Sequence, residues 1–244
     1  VDRIDVDFCF YDDPDFLTDA DRDSHILSRW HRQLWSKPLP TGELLTWDLE
    51  PGTSCLVHGD VRVSSDTIAT THSNYRRLGA AQMWKSLTEA ERTRYDRGFY
   101  TIGGFIIFPT HPQSLNQRRG RDRAIADRFD LTLECIRQHY FGQVDNPLGD
   151  VLCLDAGYFQ LFGGGQSGFA AFVEFFHLQD LASPDSVRWL DGHVDREWSF
   201  DRPPLPQNLD AYRRYLDNVA QFVALRNGRI RDWCERQDMH GVSQ

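Results

Sequence analysis

The chain has 244 residues and a formal net charge of −9, from 27 basic and 36 acidic residues. With 40% hydrophobic and 13% aromatic residues it can build a sizeable core, which excludes a disordered chain. The acidic balance argues against a protein that coats nucleic acid or lies on an anionic membrane, and leaves room for a local basic patch.

VDFCFY (6–11) reads as a short strand ended by DDPDF. HILSRWHRQLW (25–35) has helical periodicity, and KPLPTG (37–42) ends it with two prolines and a glycine. ELLTWDLE, SCLVHG and VRVSSDTIA (43–69) are three strand-like runs separated by turn residues. From Ser73 to Phe99 the pattern is helical, with a capping signal at Thr88 and Glu91. TIGGFIIFP (101–109) is a buried strand, HPQSLNQRRGRDR (111–123) a polar loop, and AIADRFDLTLECIRQHYF (124–141) a helix. Residues 145–162 form a helix broken near Gly157, GGGQSG (163–168) a connector, and FAAFVEFFHLQDL (169–181) an aromatic helix. A loop to Gln207 precedes a long helix over 209–237, capped by Asn208. Strands early and helices late give an α+β class. The chain reads as one domain, with a β-containing part over 1–110 and a mainly helical part over 111–240.

The five cysteines, Cys9, Cys55, Cys135, Cys153 and Cys234, lack C-x-x-C spacing and are odd in number. They read as free thiols in a reducing compartment. VDRIDVDFCFYDDPD lacks the basic-then-apolar order of a secretion signal, and no run approaches about 18 apolar residues. The expectation is a cytoplasmic protein without a membrane partner.

Charged residues at apolar positions are the sharpest functional signal. Arg226 falls inside the stripe Tyr212, Tyr215, Leu216, Val219, Phe222, Val223, Ile230 and Trp233 of the last helix. A guanidinium cannot shed its proton, so burial there demands a partner, unless the side chain reaches solvent. Asp180 falls in the apolar stripe of 169–181, so Asp180 and Arg226 are expected to share a polar pocket. On 124–141, Asp127, Asp130, Glu134 and Arg137 line the face opposite the apolar one. They read as a solvated face or, with less support, as a hard-cation site. Around Gly120, Arg118, Arg119, Arg121 and Arg123 crowd a helix start, as guanidinium forks suited to phosphate would.

Phosphate-loop, nucleophile-elbow and zinc-protease motifs are absent and no G-x-G-x-x-G follows a strand; GGGQSG (163–168) has the glycines of a phosphate loop but lacks the lysine and precedes a Phe-rich helix. LWSKPLP (34–40), TIGGFIIFP (101–109), DRFDLTLECIR (127–137), LQDL (178–181) and ALRNGRI (224–230) resemble phrases of an uncharacterised bacterial protein family. That resemblance implies a bacterial or phage-related cytosolic protein and assigns no catalytic residue.

The leading expectation is an enzyme or binding domain for a phosphate-bearing ligand, a nucleotide or a nucleic-acid end. Asn116, Arg119, Arg128, Arg226 and Asn227 would bind it, and Asp180 or Glu134 would act as general base or metal ligand. The alternative is a non-catalytic interaction or regulatory module, linked to phage defence, with Asp180 and Arg226 as a structural pair. The sequence assigns no metal, cofactor or oligomeric state.

Overall fold

The computed structural model describes residues 3–17, 19–39, 41–49, 53, 55–69, 80–111 and 113–241. The architecture is α+β, with a small antiparallel sheet from the first half and a helical second half. The helix expected from Ser73 is seen from Ala80, because 73–79 lie outside the described residues.

The N-terminal segment corrects the first expectation. Phe10–Asp12 is a single 3-10 turn, not a strand. The Phe10 N–H goes to Tyr100 O at 2.8 Å, and its ring packs edge-on against Trp30 and Phe105. An aromatic cluster that includes Phe105 of the sheet, and not strand pairing, explains the apolar pattern here.

A short helix, α1 (Ala20–Asp23), leads into α2 (His25–Trp35), whose N-cap Ser24 accepts from Leu27 N. Lys37 precedes Pro38, which forces extended backbone and stops α2 one residue after Trp35. The strands β1 (Asp48–Leu49), β2 (Leu56–His58), β3 (Val61–Thr67) and β4 (Phe105–Pro109) form an antiparallel sheet in that order. Between β3 and β4 lie α3 (Ala80–Ser86) and α4 (Glu89–Phe99), the latter opened by the expected Thr88–Glu91 capping box.

After the sheet, α5 (Leu115–Arg121) occupies what reads as a loop. Its polar sequence is held helical by tertiary contacts, chiefly the fully buried Arg119. Next come α6 (Phe129–Tyr140), α7 (Gly149–Leu154), α8 (Ala156–Gln160) and α9 (Gly165–Phe175). The glycine run is therefore not only a connector, since α9 begins inside it. A Cβ at Gly168 would sit 2.6 Å from Gly163 O and 2.9 Å from Tyr140 Cε1, so the glycine lets α9 approach α6. A hairpin of β5 (Ala182–Ser183) and β6 (Ser186–Val187) precedes α10 (Leu209–Gly241), capped by the Asn208 side chain on Ala211 N. The buried apolar residues form one cluster reaching from Ile4 to Ile230.

Arg226 and Asn227 join α10 to the sheet. β4 is an edge strand, paired on one side by β3 from Val63↔Pro109 to Thr67↔Phe105. Gly104 O faces the β3 side, where it accepts from Ile68 N, so alternation turns the carbonyls of 103, 105 and 107 outward. Arg226 Nη1 donates to Gly103 O at 2.8 Å and Phe105 O at 2.6 Å, while Nε donates to Phe176 O at 2.9 Å. Tyr158 Oη donates to Ile107 O at 2.8 Å. Asn227 Oδ1 accepts from Gly103 N at 2.7 Å, and its Nδ2 donates to Thr101 Oγ1 at 2.8 Å. These side chains supply the hydrogen bonds of a missing fifth strand, and they close the edge to other chains.

The same contact makes Gly103 intolerant of a side chain. A Cβ there would fall on Asn227 Oδ1 and 2.7 Å from Val223 O. Gly103→Ala is expected to cost about 1–3 kcal/mol through overpacking. A thermal melt would register this as a fall of several degrees, and an unchanged Tm would refute the close approach.

Candidate functional site

The expected binding residues are occupied by the fold itself. Arg119, fully buried, donates to Thr132 Oγ1, Asp66 Oδ2, Thr67 O and Asp127 O. Arg128, equally buried, forms a bidentate pair with Asp130 and also donates to Asp191 and Pro204 O. Asn116 donates to Ser64 Oγ at 3.2 Å. Glu134 is 2% exposed and accepts from Arg137 and Gln138. The acidic line on α6 is thus neither solvated nor convergent, because each carboxylate turns to its own arginine. Among the described residues no group of three or more His, Cys, Asp or Glu is gathered as metal ligands would be.

Asp180 does not meet Arg226. α9 ends at Phe175, so the periodicity that placed Asp180 in its stripe no longer applies. Asp180 accepts instead from Arg229 Nε and, at 2.9 Å, from Arg229 Nη2, which holds the carboxyl below its ordinary value. Among the described residues Arg226 has no carboxylate within ion-pair distance, and its buried Nη2 has no hydrogen-bond partner.

A cleft of about 1080 Å³ opens beside this pair, between the end of α2, α9 and the last third of α10. It lies just above the usual range of small-molecule sites, about 300–1,000 Å³. The helical period that buries Arg226 and Ile230 carries on as Arg229, Trp233, Arg236 and Gln237, so the stripe leaves the core and becomes a cleft wall. The opposite wall brings Lys37, Glu174, Phe175 and His177.

Lys37 is the centre of the arrangement. Its Nζ stands 5.0 Å from the Trp35 ring centroid, 4.9 Å from Phe175 and 5.3 Å from Trp233. It also lies 2.9 Å from His177 Nε2. Burial, and after it the Arg226 charge, push the amine down to about 7, with Glu174 and Cys234 pulling the other way. The three ring faces favour the charged form as well. His177 is held neutral down to about 2, by burial first and then by Lys37, Arg226, Arg229 and Arg236.

His177 reaches this position at a conformational cost. His177 N donates to Glu174 O and Leu178 N to Val173 O, the two bonds of a Schellman helix end. The residue at its turning point has φ +56. At the end of α6 the same pair of bonds runs from Gly142 to His139 and from Gln143 to Gln138, with glycine at the turning point, φ +75. α9 therefore carries an imidazole where a helix end favours glycine.

Behind the cleft, fully buried Trp35 donates from Nε1 to His31 Nδ1 at 2.8 Å. The His31 proton then sits on Nε2 and is donated to Ser65 Oγ at 2.8 Å. In that tautomer His31 donates to Ser65 and is no base for it.

Comparison with family models gives a match over residues 4–230 to a family of unknown function, DUF6994. The chain belongs to that family. No curated protein and no solved structure matches it. Membership in DUF6994 assigns no reaction.

Lys37, His177, Arg229, Trp233 and Arg236 were not singled out as site residues in the sequence. One signal was present there. Of 27 basic residues only two, Lys37 and Lys85, are lysines, and the rest are arginine. A chain that uses arginine almost everywhere keeps an amine at the caged position.

Proposed function

We propose that the protein binds a small phosphate-bearing ligand in the cleft between α2, α9 and α10. The observation that carries this reading is the charge around His177. Three arginines, Arg226, Arg229 and Arg236, and the Lys37 amine bear on one imidazole in a chain whose net charge is −9. Glu174 and Asp232 are the carboxylates on the cleft wall, and Asp180 partners Arg229 beside it. An incoming anion would neutralise that excess, with Arg236 offering a fork that matches phosphate and Arg229, whose own fork is held by Asp180, adding charge nearby. Trp233 and Phe175 offer ring faces for the rest of the ligand. The setting we adopt is a cytoplasmic one, and the chain acts as one domain. Among the described residues no helix is long and apolar enough to cross a membrane.

Calorimetric titration with inorganic phosphate, pyrophosphate and mononucleotides tests the reading. Binding is expected, and Arg236→Gln should weaken it about tenfold or more, the worth of one charge-assisted hydrogen bond. Arg118→Gln, a change remote from the cleft, should leave it unaltered. No binding to the unmodified protein, or equal loss in both variants, overturns the cleft as the site. The interaction-module reading would then take its place.

A further inference from the structure

We propose that Lys37 is a nucleophilic amine that condenses with the carbonyl group of a phosphate-bearing aldehyde or ketone held in the cleft. The proposal rests on the phosphate-site reading and adds a bond to it. Three aromatic rings enclose Nζ, and among the described residues no carboxylate lies within ion-pair distance to hold it as an ammonium. Neighbouring Arg226 repels a second positive charge. His177 Nε2 lies 2.9 Å away, and in its Nδ1–H tautomer it accepts one N–H and so restricts the rotation of the amine. His177 is thus a positioning residue, which accounts for an imidazole kept at a strained helix end. Arginine, the chain's usual cation, cannot take this role, since its guanidinium never presents a free lone pair at neutral pH.

The step is balanced without an oxidant or reductant. The amine lone pair forms the C–N bond, and the carbonyl π pair moves to oxygen. The two amine protons pass to that oxygen through solvent at the cleft mouth. The oxygen leaves as water, and the C=N bond of an imine remains.

The scarcity of lysine makes the test clean. The unmodified protein is incubated near pH 7.5 with pyridoxal 5′-phosphate as a probe of the class, reduced with cyanoborohydride, and mapped by mass spectrometry. The adduct is expected on Lys37 at least about tenfold ahead of Lys85, which ends α3 outside the cleft. Excess inorganic phosphate should slow it, and pyridoxal without the phosphate should label less. Lys37→Arg should abolish the Lys37 adduct and leave Lys85 as before. Equal labelling of the two lysines overturns the amine role. Pyridoxamine 5′-phosphate, which has no carbonyl, then separates the two ideas. If it binds the unmodified protein and not Arg236→Gln, the cleft stands and only the imine fails. If it does not bind, both fail.

Discussion

Arg226→Ala is expected to lower Tm by about 6–20 °C, the equivalent of about 3–5 kcal/mol in a chain of this size. The side chain is fully buried, and its removal leaves Gly103 O, Phe105 O and Phe176 O without their donors. An unsatisfied buried carbonyl costs about 1–3 kcal/mol, and a cavity the size of a guanidinium adds to the loss. One effect runs the other way, since a buried cation without a carboxylate is itself unfavourable and alanine removes it. The carbonyls win because there are three of them, and because the sheet edge has no alternative partner in the described fold. Arg226→Lys separates the terms, keeping the charge and losing the fork, and should melt between the two. A melt of Arg226→Ala within a degree or two of the unmodified protein would show that α10 does not close the sheet.

Below pH 6.5 the protein is expected to lose stability steeply. His31 and His177 are 1% and 7% exposed, and burial is the first cause holding them neutral, down to about 3 and about 2. In the unfolded chain both titrate near 6.5. The unfolded state therefore binds more protons than the folded one between those limits, so stability present at neutral pH drains away as pH falls. Each histidine contributes about 1.4 kcal/mol per pH unit, so the pair approaches the whole stability of an ordinary domain within a few units. His177→Gly isolates one of them. It should roughly halve that part of the slope measured by urea unfolding at several pH values. It should also recover about 1 kcal/mol at neutral pH, because glycine suits the turning point where φ is +56. An identical slope in the two proteins would mean that His177 is not held neutral. Lys37 acts at the other end of the scale. Its folded value of about 7 lies below the unfolded one, so its burial penalty is complete at acidic pH and fades as pH rises above 7.

Local signals were legible in the sequence where chemistry and pattern agreed. α2 was readable because an apolar stripe runs up to a proline, and α4 because a capping box opens it. The α+β division followed from the order of strand-like and helical runs. Arg226 was correctly placed in the buried stripe of α10. Its partner was not readable, because backbone carbonyls of an edge strand carry no residue type. Asp180 was misplaced because the apolar run of α9 continues past its end, and no glycine marks the stop. The carboxylates of α6 resembled a solvated face because Asp130 and Glu134 pair with nearby Arg128 and Arg137, and the packing that buries these pairs leaves no local pattern. Asp66 and Arg119 pair across 53 residues, a separation that no local pattern reveals. The cleft was illegible because it joins Lys37 to His177 across 140 residues. The rarity of lysine was visible from the start and was the one clue to it.

The closing of the β4 edge by residues 226 and 227 also bears on how the protein is made. Gly103 and Arg226 are 123 positions apart, so the sheet leaves synthesis well before the helix that completes it. Until α10 emerges, β4 presents outward carbonyls and a buried-type sequence, FIIFP, to whatever is nearby. The nascent chain is exposed to aggregation during that interval. A chain truncated before Arg226 keeps every strand of the sheet and lacks its seal, and would remain in that vulnerable state.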